Sequence, residues 1–177
     1  MTIGTLFIHW SARITFLLYA AALATWLMGK HRAARMAWTC GFLLYLAHVG
    51  AAFHFRHHWS HEAAYEETAR QTAELFGVPS GAGLYCNYTF TAVWGSDVIW
   101  IWRNAATHRR RRRWITIVIH TFMAFLFFNA TVVFVSGWVR WMGLAATTAL
   151  SILWWSMRKA LRIPSDEAGR RLRVPEA

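Results

Sequence analysis

Five apolar runs set the terms for any fold of this chain: roughly 5–28, 36–55, 84–102, 114–136 and 138–157. Each is close to the ~20 residues that a helix needs to cross about 30 Å of hydrocarbon. A helix closes its backbone hydrogen bonds within itself, which a lone strand in lipid cannot do. The sequence therefore predicts an all-α integral membrane protein, a bundle of about five transmembrane helices. At 56% hydrophobic residues, the chain is too apolar for an ordinary soluble domain. A signal peptide is the rival reading of the first run. Met1–Trp10 lacks the positive start that such a peptide needs, although Ala22-Leu23-Ala24 resembles a cleavage site. The membrane domain is expected over 1–162, followed by a disordered, basic cytoplasmic tail over 163–177.

The formal charge of +11 could suggest nucleic acid, but the placement of the charges excludes it as the expected partner. Lys30, Arg32 and Arg35 follow the first run, Arg103 and Arg109–Arg113 the third, and six Lys or Arg residues the fifth. All three clusters lie on one side only if the N-terminus is outside and the C-terminus cytoplasmic. The expected setting is the cell's inner membrane, with the bilayer and partner subunits or further copies of the chain as partners. The run Arg109–Arg113 is a topogenic anchor on this reading. Cys40 and Cys86 fall near opposite membrane faces, too far apart for a disulfide.

The connection after the second run carries Glu62, Glu66, Glu67 and Glu74, which suits the outer side. Ser60 can cap an amphipathic helix over 60–76, with Glu66 and Arg70 as an i,i+4 pair. Gly77 can close it and Pro79 stops it. The same region holds a cluster of histidines. On a continuous helix His54, His58 and His61 would share one face at i, i+4 and i+7, with Tyr65 on the same stripe. Imidazoles gathered in this way can ligate iron, copper or zinc. Glu62 is the nearest carboxylate. His57 lies beside the stripe.

Depth adds two coincidences. At 1.5 Å per residue, His54 and His9 both fall roughly 27–28 Å from the cytoplasmic edge, the condition for a haem held between two helices. Asp97 and His120 both fall about 9 Å deep on consecutive antiparallel spans, where they could form a buried pair or a proton relay. His48 lies near mid-membrane, about 18 Å in, and suits an interhelical hydrogen bond.

His54-Phe55-Arg56-His57-His58 reads HxxHH and is similar to a histidine box of the integral-membrane di-iron hydroxylases and desaturases. That family uses several such boxes facing the cytoplasm. This chain has a single one, facing outside, so the likeness implies iron-binding chemistry without membership. Small haem bundles of the cytochrome b type are similar in architecture only. The leading expectation is a histidine-ligated metal or haem site near the outer face, used for redox chemistry, with the chain acting as a membrane oxidoreductase. The alternatives are a non-catalytic structural subunit of a membrane complex, and a proton-coupled carrier working through Asp97 and His120.

Overall fold

The computed structural model describes residues 2–133 and, beyond them, 137, 140, 141, 143–145, 147–149, 151, 152 and 155. The fifth apolar run is described only in part, and the tail 163–177 lies wholly outside the described residues. The described residues are all-helical, with no strand.

Helix α1 (Ile3–Leu27) starts where the Thr2 hydroxyl accepts from the Thr5 amide at 3.3 Å. After a turn through Gly29 the chain returns as α2 (His31–Phe55). The two run antiparallel in close contact. A Cβ on Gly4 would stand 2.6 Å from the Phe55 ring, so only glycine admits that approach. Ser11 Oγ lies 3.1 Å from His48 Nδ1 further along the same seam. α2 begins five residues earlier than its apolar run, because His31, Arg32 and Arg35 extend the helix beyond the apolar stretch.

Helix α3 (His61–Phe76) forms as its capping residues require. Ser60 Oγ accepts from the Ala63 amide at 3.1 Å, and Gly77 closes the helix in the left-handed region at φ 75°. The expected Glu66–Arg70 pair is replaced. Arg70 engages Glu67 and Glu74 instead, at i−3 and i+4. Helix α4 (Ala82–Arg103) leads into the short α5 (Ala105–Arg109). Then comes α6 (Arg113–Phe128), which continues as a π-helical turn over Asn129–Val133. There the Asn129 amide donates to the Phe125 carbonyl at 2.7 Å, so this polar side chain is satisfied by its own helix.

Among the described residues, three segments can cross a membrane by length and apolarity: Ile3–Leu27, His31–Phe55 and Arg113–Val133. α4 has the length, at 22 residues, but its Asn87, Ser96 and Asp97 make it more polar than these three.

α1, α2, α4 and α6 alternate in direction around an aromatic layer. The Tyr19 and Phe127 rings stack at 4.5 Å, Trp38 meets Trp94 at 5.1 Å, and Phe90 meets both Trp94 and Phe127 at 5.4 Å. Trp94 and Met123 are fully buried at the centre. Leu17, Leu43, Ile99, Val118 and Phe125 point outward and are exposed. Each aromatic pair adds about 0.5–1.5 kcal/mol beyond area burial, so this layer holds α1, α2, α4 and α6 together. Trp94→Ala is expected to cost about 3–5 kcal/mol through the cavity it leaves. Thermal unfolding in detergent checks this, and an unchanged midpoint would contradict the central role of the layer.

Candidate functional site

Two cavities enter the bundle from opposite ends, one beside α5 and one beneath α3. The α5-end cavity, of about 360 Å³, surrounds the one buried acid of α4. Asp97 is 4% exposed. Its Oδ1 accepts from Arg111 Nη1 in direct contact and lies 3.1 Å from His108 Nε2. Arg111 also reaches Thr116 Oγ1 at 2.8 Å and His108 Nε2 at 3.0 Å. A guanidinium only donates and a carboxylate only accepts. His108 Nε2 therefore either carries a proton and gives it to Asp97, or lacks one and accepts from Arg111.

Local sequence explains the triad. Asn104 ends α4 and its Oδ1 accepts from the Thr107 amide at 3.0 Å, starting α5 at once. Trp100 Nε1 donates to Thr107 Oγ1 at 3.1 Å, which folds α5 back along the last turns of α4. That return brings His108 and Arg111 to Asp97. The expected pairing of Asp97 with His120 is thereby corrected: the nearer chain after α4 supplies the partners. His120 lines the same cavity but packs among the Trp38, Tyr19 and Trp26 rings, and its buried Nδ1 has no hydrogen-bond partner.

The α3-end cavity is larger, about 850 Å³, and amphiphilic. Polar His9, His48, His57, Glu67 and Asn87 line it together with apolar Val49, Leu84, Leu126 and Phe127. His48 Nδ1 lies 3.0 Å from the Ile8 carbonyl, which can only accept. Nδ1 therefore carries a hydrogen, and in the neutral ring Nε2 keeps its lone pair. The buried Thr15 hydroxyl lines the cavity and is likewise unbonded. Glu67 holds Arg70 through both carboxylate oxygens, at 2.7 and 2.9 Å, and takes Gln71 Nε2 at 2.8 Å. Burial alone would raise its pKa. The hydrogen bonds from Arg70 and Gln71, with the charges of Arg70 and Arg56, outweigh that and hold it below the usual glutamate value. Burial, then the charge of Arg56, push the His57 imidazole down.

The expected histidine stripe does not form. α2 ends at Phe55, and His58 and Trp59 take positive φ of 47° and 62°. His54, His58 and His61 therefore lie on three separate pieces of backbone, all exposed. The tight reversal at Arg56–Ser60 is what the helical-wheel argument omits. His54 rests edge-on to Phe55 at 4.6 Å, and His61 Nδ1 meets the Tyr88 hydroxyl at 3.0 Å. Tyr65 packs on Tyr85 at 6.2 Å rather than on a histidine. Glu62 is exposed. Among the described residues no three His, Cys, Asp or Glu side chains are grouped to hold a metal ion. The depth match of His9 with His54 also fails. The α1–α2 register sets Gly4 against Phe55 and Ser11 against His48, which puts His9 near residue 50, roughly 6 Å deeper than His54.

Sequence reasoning missed His108, Arg111 and Glu67. The available signal was Asp97 itself, a carboxylate that needs a cation, with His108 and Arg111 three residues apart just after its helix. The chain matches no family model, no curated protein and no solved structure.

Two outcomes test this geometry. Asp97→Ala strands Arg111 in a buried site and is expected to cost about 3–5 kcal/mol, with Arg111→Met restoring much of it. Equal melting of Asp97→Ala and the parent would contradict the buried pair. His57 should titrate below its ordinary 6.5 by NMR. Because the folded chain prefers the neutral ring, this contribution to stability is present above pH 6.5 and lost as pH falls through the depressed value. A midpoint at or above 6.5 would contradict its placement.

Proposed function

We propose that this chain is a multi-pass integral membrane protein with the α3 end outside and the α5 end cytoplasmic. Its functional centre would be the α3-end cavity, where it binds an amphiphilic small molecule. Three lines support the membrane reading. Three helices have the length and apolarity of spans, and the outward faces are apolar. Lys30, Arg32, Arg35, Arg103 and Arg109–Arg113 gather at the α5 end, against an acidic α3. α4 then makes the third span despite its polarity, since Arg111 and His108 neutralise Asp97 internally. The run 138–157 makes the fifth.

The observation that carries the site is His48: a mid-bundle imidazole whose Nδ1 is tied to the Ile8 carbonyl, leaving Nε2 as a base in a large amphiphilic cavity. His9, from the facing helix, and His57 line the same space. We infer redox chemistry at a histidine-held metal ion or haem, with His48 and His9 replacing His54, His58 and His61 as the primary donors. Substrate would enter from the lipid or the outer compartment.

Metal analysis with an optical spectrum, on folded protein purified without a histidine tag or chelator, tests this. The expected result is stoichiometric iron, copper or zinc, or a Soret band. It should fall by at least about tenfold in His48→Gln. His58→Ala should leave it unchanged. Metal and haem both absent, or an equal loss in the two variants, would reject the reading.

The two opposed cavities on either side of an aromatic layer favour a second reading, a proton-coupled carrier in which Asp97 exchanges protons with His108. Asp97→Asn should then abolish pH-driven transport in vesicles while still folding, and intact transport in that variant would reject it.

A further inference from the structure

We propose that the α5-end cavity is a binding site for a phosphate-bearing anion, either a phospholipid headgroup or free phosphate. The inference does not depend on the chemistry assigned to the α3 end.

The charge balance of the cavity starts the argument. Arg32, Arg35, Arg109 and Arg111 line it, with Asp97 as the sole carboxylate. Asp97 is already engaged by Arg111 and His108. Among the described residues, Arg32, Arg35 and Arg109 have no carboxylate partner, so three guanidinium charges converge without a counterion.

Three nitrogens of residues that line the cavity are buried and unbonded, which is uncommon for groups of such strong hydrogen-bonding character. They are Arg35 Nε, His120 Nδ1 and Trp38 Nε1. Arg35 is held in place rather than waving in solvent. Its guanidinium lies over the Trp102 ring at 4.4 Å, and the Trp102 indole is fixed by its hydrogen bond to Thr39 Oγ1 at 2.9 Å. A stacked guanidinium keeps its planar donor edge free, and that fork matches phosphate oxygens in pairs. The buried Nε and the convergent charge make an oxyanion with several acceptor oxygens a better fit than a halide. Leu23, Trp26 and Ile101 form an apolar border to the same cavity, which can take the first carbons of a lipid ester. At the cytoplasmic edge of a bundle, a basic pocket of this kind sits where anionic headgroups lie.

The arginine run supplies an internal control. Arg109 and Arg111 line the cavity, whereas Arg110 and Arg112, of equal charge, do not. Binding to a built site must distinguish the two sets, and diffuse attraction to a basic surface must not.

The test uses the full chain in a neutral maltoside detergent. Inorganic phosphate is titrated by calorimetry against a chloride background. Retention of dioleoyl phosphatidic acid over dioleoyl phosphatidylcholine is read by native mass spectrometry. Arg32→Gln with Arg109→Gln should weaken binding at least about tenfold, and Arg110→Gln with Arg112→Gln less than about twofold. All four side chains are exposed, so neither double variant threatens the fold. Arg35→Gln, scored only if its melting is unchanged, should weaken binding further. If phosphate binds and displaces the lipid, free phosphate is a ligand of the site. If phosphatidic acid is retained in excess phosphate, the headgroup is the ligand. The proposal is overturned if neither probe binds above the chloride or phosphatidylcholine control, or if the two double variants lose binding equally.

Discussion

A carboxylate inside an apolar bundle must be met by a cation, and in this chain Asp97 imposes that condition on everything around it. Its helix cannot pass straight into the next one. The chain breaks at Asn104, doubles back as α5, and delivers His108 and Arg111 before α6 begins. The α5-end cavity is shaped by this return, since Arg111, Asp97 and His108 form one of its walls. The same triad lets α4 combine a polar sequence with a central position. Without it, the most buried tryptophan of the structure, Trp94, would sit one turn from an unpaired charge.

The aromatic layer of Tyr19, Trp38, Phe90, Trp94 and Phe127 divides the interior into two polar compartments. His48 serves one and His120 the other. Their roles differ by partner: His48 is oriented by the Ile8 carbonyl, whereas His120 is framed by rings and keeps an unbonded Nδ1. Large apolar side chains such as Leu17, Leu43, Ile99, Val118 and Phe125 are exposed, while Asp97, Ser11 and Thr15 are buried.

Much of the fold could be read from residues. Apolar runs located α1, α2, α4 and α6, and Ser60 with Gly77 bounded α3 to within a residue. Charge clusters showed that the connections after the first and third runs share an end. The site was less legible, for two physical reasons. The helical wheel that joined His54, His58 and His61 assumes an unbroken helix, and periodicity does not reveal a reversal built from left-handed His58 and Trp59. Depth arithmetic, applied to Asp97 and His120, places residues along the membrane normal but says nothing of a loop that folds back. Arg111 looked like one more topogenic charge because its neighbours are identical in type. Only three-dimensional placement separates the arginine that enters the bundle from those that do not.

The central claim is that two polar cavities open toward opposite faces of a membrane, with the aromatic layer between them. Site-specific labelling with a membrane-impermeant maleimide on intact cells tests it most directly, in a background where the free and exposed Cys40 and Cys86 are replaced by serine. Ala52 lines the α3-end cavity and Ala105 the α5-end cavity. The account predicts that Ala52→Cys is labelled on intact cells and Ala105→Cys only after permeabilisation. Labelling of both from the same side would contradict it.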